Sequence, residues 1–173
     1  MGILADGSIT IADAMDYIEG GKFVMPAFQR QFVWSTSQIE KLWDSILLDY
    51  PISTFLFWEI DEGNTDEKTY FCKFMESVAF DFRGSSNSPN YELITPNLAI
   101  SDTAILDGQQ RLTSLYLSLI GKTFAMEKYA RRKSGSKITT KLVIELDKNK
   151  LDLDPDDYNS MKHDIRFNKK IMR

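Results

Sequence analysis

Apolar residues fall at helical spacing in three places along the chain, and between them they crowd into short β-branched or aromatic runs. Ile11, Ala14, Met15 and Ile18 recur at i, i+3, i+4 and i+7, which draws one face of a helix. Thr10, with Asp13 three residues on, reads as its amino-terminal cap, and Gly20-Gly21 as its stop. Ile39, Leu42, Trp43, Ile46 and Leu47 form a second stripe, which Ser35 or Ser37 can cap and Tyr50-Pro51 ends. Leu112, Leu115, Tyr116 and Leu119 form a third, running to Gly121. Residues 23–34 have no helical period and include Pro26, so they are expected to be extended. Residues 54–60 and 142–146 read as strands, and the short apolar run 103–106 leads into Asp107-Gly108. Residues 61–69 read as a polar loop, 70–75 as a short helix and 83–90 as a turn. The stretch 148–173 is polar and without period. This order of elements predicts a compact α+β fold with a small mixed sheet and packed helices.

A chain of 173 residues, 43% of them hydrophobic, is expected to form one domain over 1–173 with a proper core. The net charge of −4 argues against a uniformly basic surface but leaves room for a local basic groove. Lys122, Lys128, Arg131, Arg132, Lys133, Lys137 and Lys141 stand against Glu127 alone, with Ser134-Gly135-Ser136 loosening the centre. That run is either a solvated loop or a contact to DNA phosphates, for which Arg131, Arg132 and Lys133 are the candidates. Cys72 is the only cysteine, so an intrachain disulfide is excluded, and its neighbours Phe71 and Phe74 suggest a buried thiol. The first ten residues show no signal-peptide pattern, and no window approaches the apolar length of a membrane span, which makes the cytoplasm the expected compartment. His163 is the sole histidine, too little for a nuclease centre. The tail through Phe167-Asn168-Lys169-Lys170 carries no terminating signal, so any nuclease is expected beyond Arg173, in a downstream domain.

The densest chemistry lies at Asp107-Gly108-Gln109-Gln110-Arg111, between a predicted strand and a predicted helix. Gly108 permits a tight turn and a close approach of backbone to ligand. The helix start directs N–H groups and partial positive charge at the turn, which suits phosphate. Arg111 can add a charged grip on phosphate oxygens. Asp107 can hold a magnesium ion or orient a water, which Gln109 or Gln110 can position. The bland alternative is a capping box from Asp107 to Gln110 with Arg111 solvated. No Gly-x-x-x-x-Gly-Lys-Ser/Thr pattern occurs, so this is not a P-loop.

Strand alternation through Pro26-Ala27-Phe28-Gln29-Arg30-Gln31-Phe32-Val33-Trp34 would place Phe28, Arg30 and Phe32 on one side, with Gln29, Gln31 and Val33 on the other. Arginine and glutamine among rings can stack a base and bond its edge, whereas an edge strand with core aromatics explains the pattern equally.

The string FVMPAFQRQFVWSTSQIEKLWDSILLDYPISTFLFWEI, followed by ILDGQQRLTSLYLSL, closely resembles the amino-terminal domain of the DGQQR-motif family. Such domains occur in type IV, modification-dependent restriction endonucleases of the GmrSD kind and in related phage-defence proteins, and the likeness runs over about residues 9–167. The resemblance implies a ParB/sulfiredoxin-like α+β fold that sets a nucleotide on a loop before a helix. It implies that Asp107, Gly108, Gln109, Gln110 and Arg111 match a nucleotide-hydrolysis motif, and that Gln29 and Arg30 match a second polar motif near the same pocket. It further implies hydrolysis of a nucleoside triphosphate that regulates a carboxy-terminal nuclease of HNH type, with some members sensing a DNA modification. A binding module that senses nucleotide or modified DNA without turnover is the alternative. Residues 62–101 are longer and more polar than in a minimal member, and no cysteine stands at the phosphate turn, so redox chemistry of the sulfiredoxin kind is not expected.

Overall fold

The computed structural model describes residues 9–60, 71–81, 83–87, 93–94, 103–126, 137–145 and 164–169. Within these the chain is α+β, and it divides into two compact units, each with its own five-stranded mixed sheet. One unit takes residues Met1–Phe32, Thr54–Glu76 and Ser88–Gly121; the other takes Val33–Ser53, Ser77–Asn87 and Lys122–Arg173.

The first unit opens with helix α1 (Ile11–Glu19), whose cap is the one its sequence announces: the Thr10 hydroxyl accepts from the Asp13 N–H, and the Asp13 carboxylate accepts from the Thr10 N–H. The Thr10 hydroxyl also donates to the Asp13 carboxylate, and this bond, together with the one from the Thr10 N–H, holds the Asp13 carboxyl below its usual range. Ala14, Met15 and Ile18 are its buried face. Strand β1 (Phe23–Pro26) comes next and is buried throughout, because it lies inside the sheet. It pairs parallel with the later strand Thr103–Asp107 and antiparallel with Phe71–Cys72. Strand Leu56–Glu59 flanks Thr103–Asp107 on the other side, and Leu93–Ile94 flanks Phe71–Cys72. Val24, Ile60, Phe71 and Ala104 form one packed cluster, with Trp58 lying against it. Each fully buried phenylalanine of this kind is worth roughly 1.5–3 kcal/mol in transfer from water. The helix after Thr103–Asp107 spans Gln109–Leu119.

In the second unit, helix α2 (Thr36–Leu47) is capped by Ser35 in a full capping box with Gln38. In chain order the strands of the molecule are β2 (Leu56–Glu59), β3 (Phe71–Cys72), β4 (Ser77–Phe80), β5 (Ser86–Asn87), β6 (Leu93–Ile94), β7 (Thr103–Asp107), β8 (Lys122–Met126), β9 (Lys137–Glu145) and β10 (Asp164–Lys169), with α3 (Gln109–Leu119) between β7 and β8. The second sheet runs β10-β9-β8-β4-β5, with β4 and β8 parallel and the other neighbours antiparallel. Helix α2 packs on β10, and the Glu40 carboxylate accepts from the Phe167 N–H at 3.2 Å.

Several expectations change here. Residues 70–75 do not form a short helix where described, because Phe71-Cys72 is a strand paired on both sides. The extended reading of residues 23–34 holds only to Pro26, after which the chain turns, with the Gln29 N–H donating to the Pro26 carbonyl at 3.0 Å. Phe28 is consequently 80% exposed while Phe32 is 2% exposed, so strand alternation does not put them on one face. Helix α3 is buried nearly all round, taking in Thr113, Ser114 and Leu117, whereas Leu119 is exposed. The two ends of the basic run 122–141 lie in β8 and β9, and β10 falls in the polar tail. Arg131, Arg132, Lys133 and His163 lie outside the described residues. Among the described residues no helix is long and apolar enough to cross a membrane.

This packing sets two expected outcomes. Ser35→Ala should cost about 1 kcal/mol in urea unfolding, since it leaves a donor of the α2 first turn without its cap. In the first unit, burial pushes both the Cys72 thiol and the Tyr116 hydroxyl up, Tyr116 with added repulsion from Glu19 and Glu76. The folded state therefore holds these protons longer than the unfolded state does, and the stability they contribute is complete below the unfolded values and drains as pH rises above about 9. The urea midpoint should fall between about pH 8 and pH 10.5, and by less in Cys72→Ala than in the parent.

Candidate functional site

Strand β7 and helix α3 meet at Asp107-Gly108, and a β-bulge prepares the meeting. Leu56 pairs with Asp107 and Phe57 with Ile105, so Leu106 has no cross-strand partner on β2. The Gln29 side chain supplies the hydrogen bond that the ladder does not: its Nε2 donates to the Leu106 carbonyl at 2.8 Å and to Ile105 at 3.4 Å. Bulges bend a strand and re-aim the chain beyond them, here the turn at Asp107.

The traffic also runs the other way. Gln109 and Gln110 are the first two residues of α3, and both are buried. Gln109 Nε2 donates to the Arg30 carbonyl at 3.0 Å, and Gln110 Nε2 to the Gln31 carbonyl at 3.1 Å. Residue 30 is in no ladder, so loss of the Gln109 amide would leave the part-buried Arg30 carbonyl short of a partner, at a cost of about 1–3 kcal/mol. Three glutamine side chains thus tie the 27–32 loop to the strand end and to the helix start. Gln109 Oε1 is itself buried with no hydrogen-bond partner among the described residues.

Gly108 is the amino-terminal cap of α3, left-handed at φ +87°, and it provides no side-chain cap. The alternative reading, a capping box from Asp107 to Gln110, is therefore absent: Asp107 belongs to β7, and the Gln110 amide donates to Gln31. A Cβ on Gly108 would fall 2.8 Å from Cε1 of Phe55. The same ring carries the Arg111 guanidinium, whose carbon lies 4.6 Å from the ring centroid. Arg111 is not a solvated helix residue. Its side chain is 13% exposed, and Nη2 donates to the Thr54 carbonyl at 2.6 Å and approaches Asp107 Oδ2 at 3.5 Å. Asp107 is open, at 67% exposure of its side chain. Arg30 is also exposed, on the loop whose backbone Gln109 holds.

The structure thus brings Gln29, Arg30, Asp107, Gly108, Gln109, Gln110 and Arg111 together within one unit. Thr54 and Phe55 complete the arrangement, and sequence reasoning misses both. Their signal in the sequence is slight, an aromatic before a strand, and only the fold reveals that Phe55 fills the space Gly108 leaves. Among the described residues no group of three or more His, Cys, Asp or Glu side chains could hold a metal ion.

Gly108→Ala should destabilise this unit by about 2 kcal/mol or more in urea unfolding, from left-handed strain and the collision with Phe55. In a Phe55→Ala background the collision part should vanish, so the double variant falls short of additivity. Additive losses would mean that the ring does not meet the turn.

Comparison with known proteins fits this placement. The uncharacterized protein MJ0686 of Methanocaldococcus jannaschii is 35% identical over 107 residues, a stretch covering 62% of this chain and 16% of that relative's length. The family described as the GmrSD restriction endonuclease, N-terminal domain, matches residues 11–172. With nearly the whole chain matched and the DGQQR turn set between strand and helix, this protein belongs to the family of GmrSD restriction endonuclease amino-terminal domains.

Proposed function

We propose that the domain binds a nucleoside triphosphate at the Asp107-Gly108 turn, hydrolyses it, and thereby controls a DNA-restriction nuclease carried downstream. The observation that carries this reading is the helix start itself. Helix α3 begins on a left-handed glycine with no side-chain cap, and the 27–32 loop is tied against it with Arg30 exposed. Such a start favours an anion, and arginine is the side chain best shaped to grip one.

The residues then divide by role. The amino-terminal end of α3 meets phosphate with its partial positive charge, and Arg111 and Arg30 add to it. A magnesium ion fits the donor set only in one way: a single open carboxylate, Asp107, suits a cation that keeps waters and takes its other ligands from phosphate oxygens. That ion would supply charge neutralisation on the phosphates. Gln29, Gln109 and Gln110 act first as positioning residues, since their amides hold the loop.

A second reading has its own support. With the amides of both DGQQR glutamines engaged by loop carbonyls, the site is built to hold a ligand as much as to turn it over, as in a nucleotide- or modified-DNA-sensing module. Phosphate release and calorimetry on the same preparation separate the two. Arg30→Ala should weaken triphosphate binding roughly 10- to 100-fold, the worth of one charged hydrogen-bonding group, without moving the unfolding midpoint. Asp107→Asn should retain binding and lose magnesium-dependent phosphate release. Binding without any release in the parent chain would favour the sensor, and no binding at all would end both readings.

A further inference from the structure

The second unit holds a cavity of about 440 Å³ that none of the DGQQR chemistry uses. Its walls include Phe80 on β4 and Phe167 on β10, whose rings share one face of the sheet 5.6 Å apart between centroids, and the β8 segment at Phe124 and Ala125. Helix α2 adds Thr36 and Glu40, and the β4–β5 turn adds Asp81. The volume is that of a small-molecule pocket, and aromatic walls with a few fixed polar groups are how such pockets are built.

Those polar groups have a definite character. Asp81 Oδ1 accepts from the N–H groups of Arg83 and Ser85, at 2.8 and 2.9 Å, which fixes the carboxylate in place. Its Oδ2 makes no hydrogen bond among the described residues, and neither does the Thr36 hydroxyl. Gly84 (φ +78°) lies hard against Thr36, whose N–H donates to the Gly84 carbonyl at 2.9 Å, so helix start and turn hold each other. Glu40 adds a second carboxylate to the lining. Two carboxylates repel phosphate, so this is no second triphosphate site. The two acceptor-only carboxylates beside aromatic rings suit a flat ring that carries hydrogen-bond donors.

We infer that this cavity binds a nucleobase bearing an exocyclic amine, packed against the Phe80–Phe167 ring pair with its amine on Asp81 Oδ2. A carboxylate accepting from such an amine is an established form of base discrimination, and aromatic walls are how proteins hold a base removed from its stack. Cytosine, adenine and guanine qualify, whereas uracil and thymine flank their one donor with carbonyls. The ligand is either a free nucleoside or a base presented by a single strand. The inference does not rest on triphosphate hydrolysis.

The test is a set of calorimetric titrations of the full chain with cytidine, adenosine, uridine and thymidine, and with short single-stranded deoxyoligonucleotides of matched base content. The parent should prefer amine-bearing bases by about 10-fold or more, the worth of one good hydrogen bond to a charged group. Asp81→Asn retains the Oδ1 acceptor for Arg83 and Ser85 but replaces the Oδ2 acceptor by a donor, so it should reverse the preference toward uridine and thymidine with an unchanged unfolding midpoint. Phe167→Leu, which keeps an apolar side chain against Phe80 but removes the ring, should weaken every base alike. Binding of nucleosides identifies a free-ligand pocket, and binding of oligonucleotides alone identifies a nucleic-acid pocket; both support the inference provided the reversal occurs. Absence of binding in both series, or selectivity that Asp81→Asn leaves unchanged, overturns it. Arg30→Ala and Asp107→Asn should leave these titrations unaltered, which keeps this outcome separate from the fate of the triphosphate reading.

Discussion

Three glutamine amides meeting irregular backbone carbonyls are the interaction on which the rest of the first unit depends. A loop that leaves its sheet at Pro26 and returns to the core at Phe32 has no ladder to satisfy it, and a carbonyl withdrawn from water without a partner is expensive. Gln109 and Gln110 meet that need from the helix side, and Gln29 meets the reciprocal need of the bulged strand. The loop and the β7–α3 turn therefore cannot be placed independently. Whatever approaches the helix start also meets the exposed Arg30 and the open Asp107.

The other half of the turn is steric. Gly108 is left-handed and has Phe55 where a side chain would be. The ring in turn supports Arg111, which also bonds the Thr54 carbonyl and faces Asp107. A cation stacked on a ring and held by a carbonyl has lost most of its rotational freedom before any anion arrives, which is what preorganisation requires. The polar motif thus owes its shape to residues far away in sequence and plain in chemistry.

Helices are the most legible part of the fold, because caps and periodicity agree. Thr10 with Asp13 forms the box its spacing suggests, and of the two serines that could cap α2 it is Ser35 that does so, in a box with Gln38. The strand before Asp107 and the helix after Gly108 are equally readable. The elements that escape are short or lack a clear alternation: β4 and β8 show none to read, β10 alternates only through Ile165 and Phe167 within a polar stretch, and Phe71-Cys72 becomes a strand because β1 and β6 lie beside it. At the site, the spacing of polar residues singles out those that gather, but not the use of the glutamine amides. Local spacing suggests that Gln110 caps with Asp107; the contact with Gln31, 79 positions away, is tertiary and leaves no local trace.

The central claim is that the glutamine amides hold the 27–32 loop in place for the ligand site. Hydrogen exchange of the Gln110→Leu variant, which retains most of the side-chain volume but removes the donor, tests it most directly. The account predicts faster exchange confined to residues 27–32 and the first turn of α3, with α1 and the rest of the first sheet unchanged. Exchange in the loop equal to that of the parent would show that the loop stands without the amide, and would contradict the account.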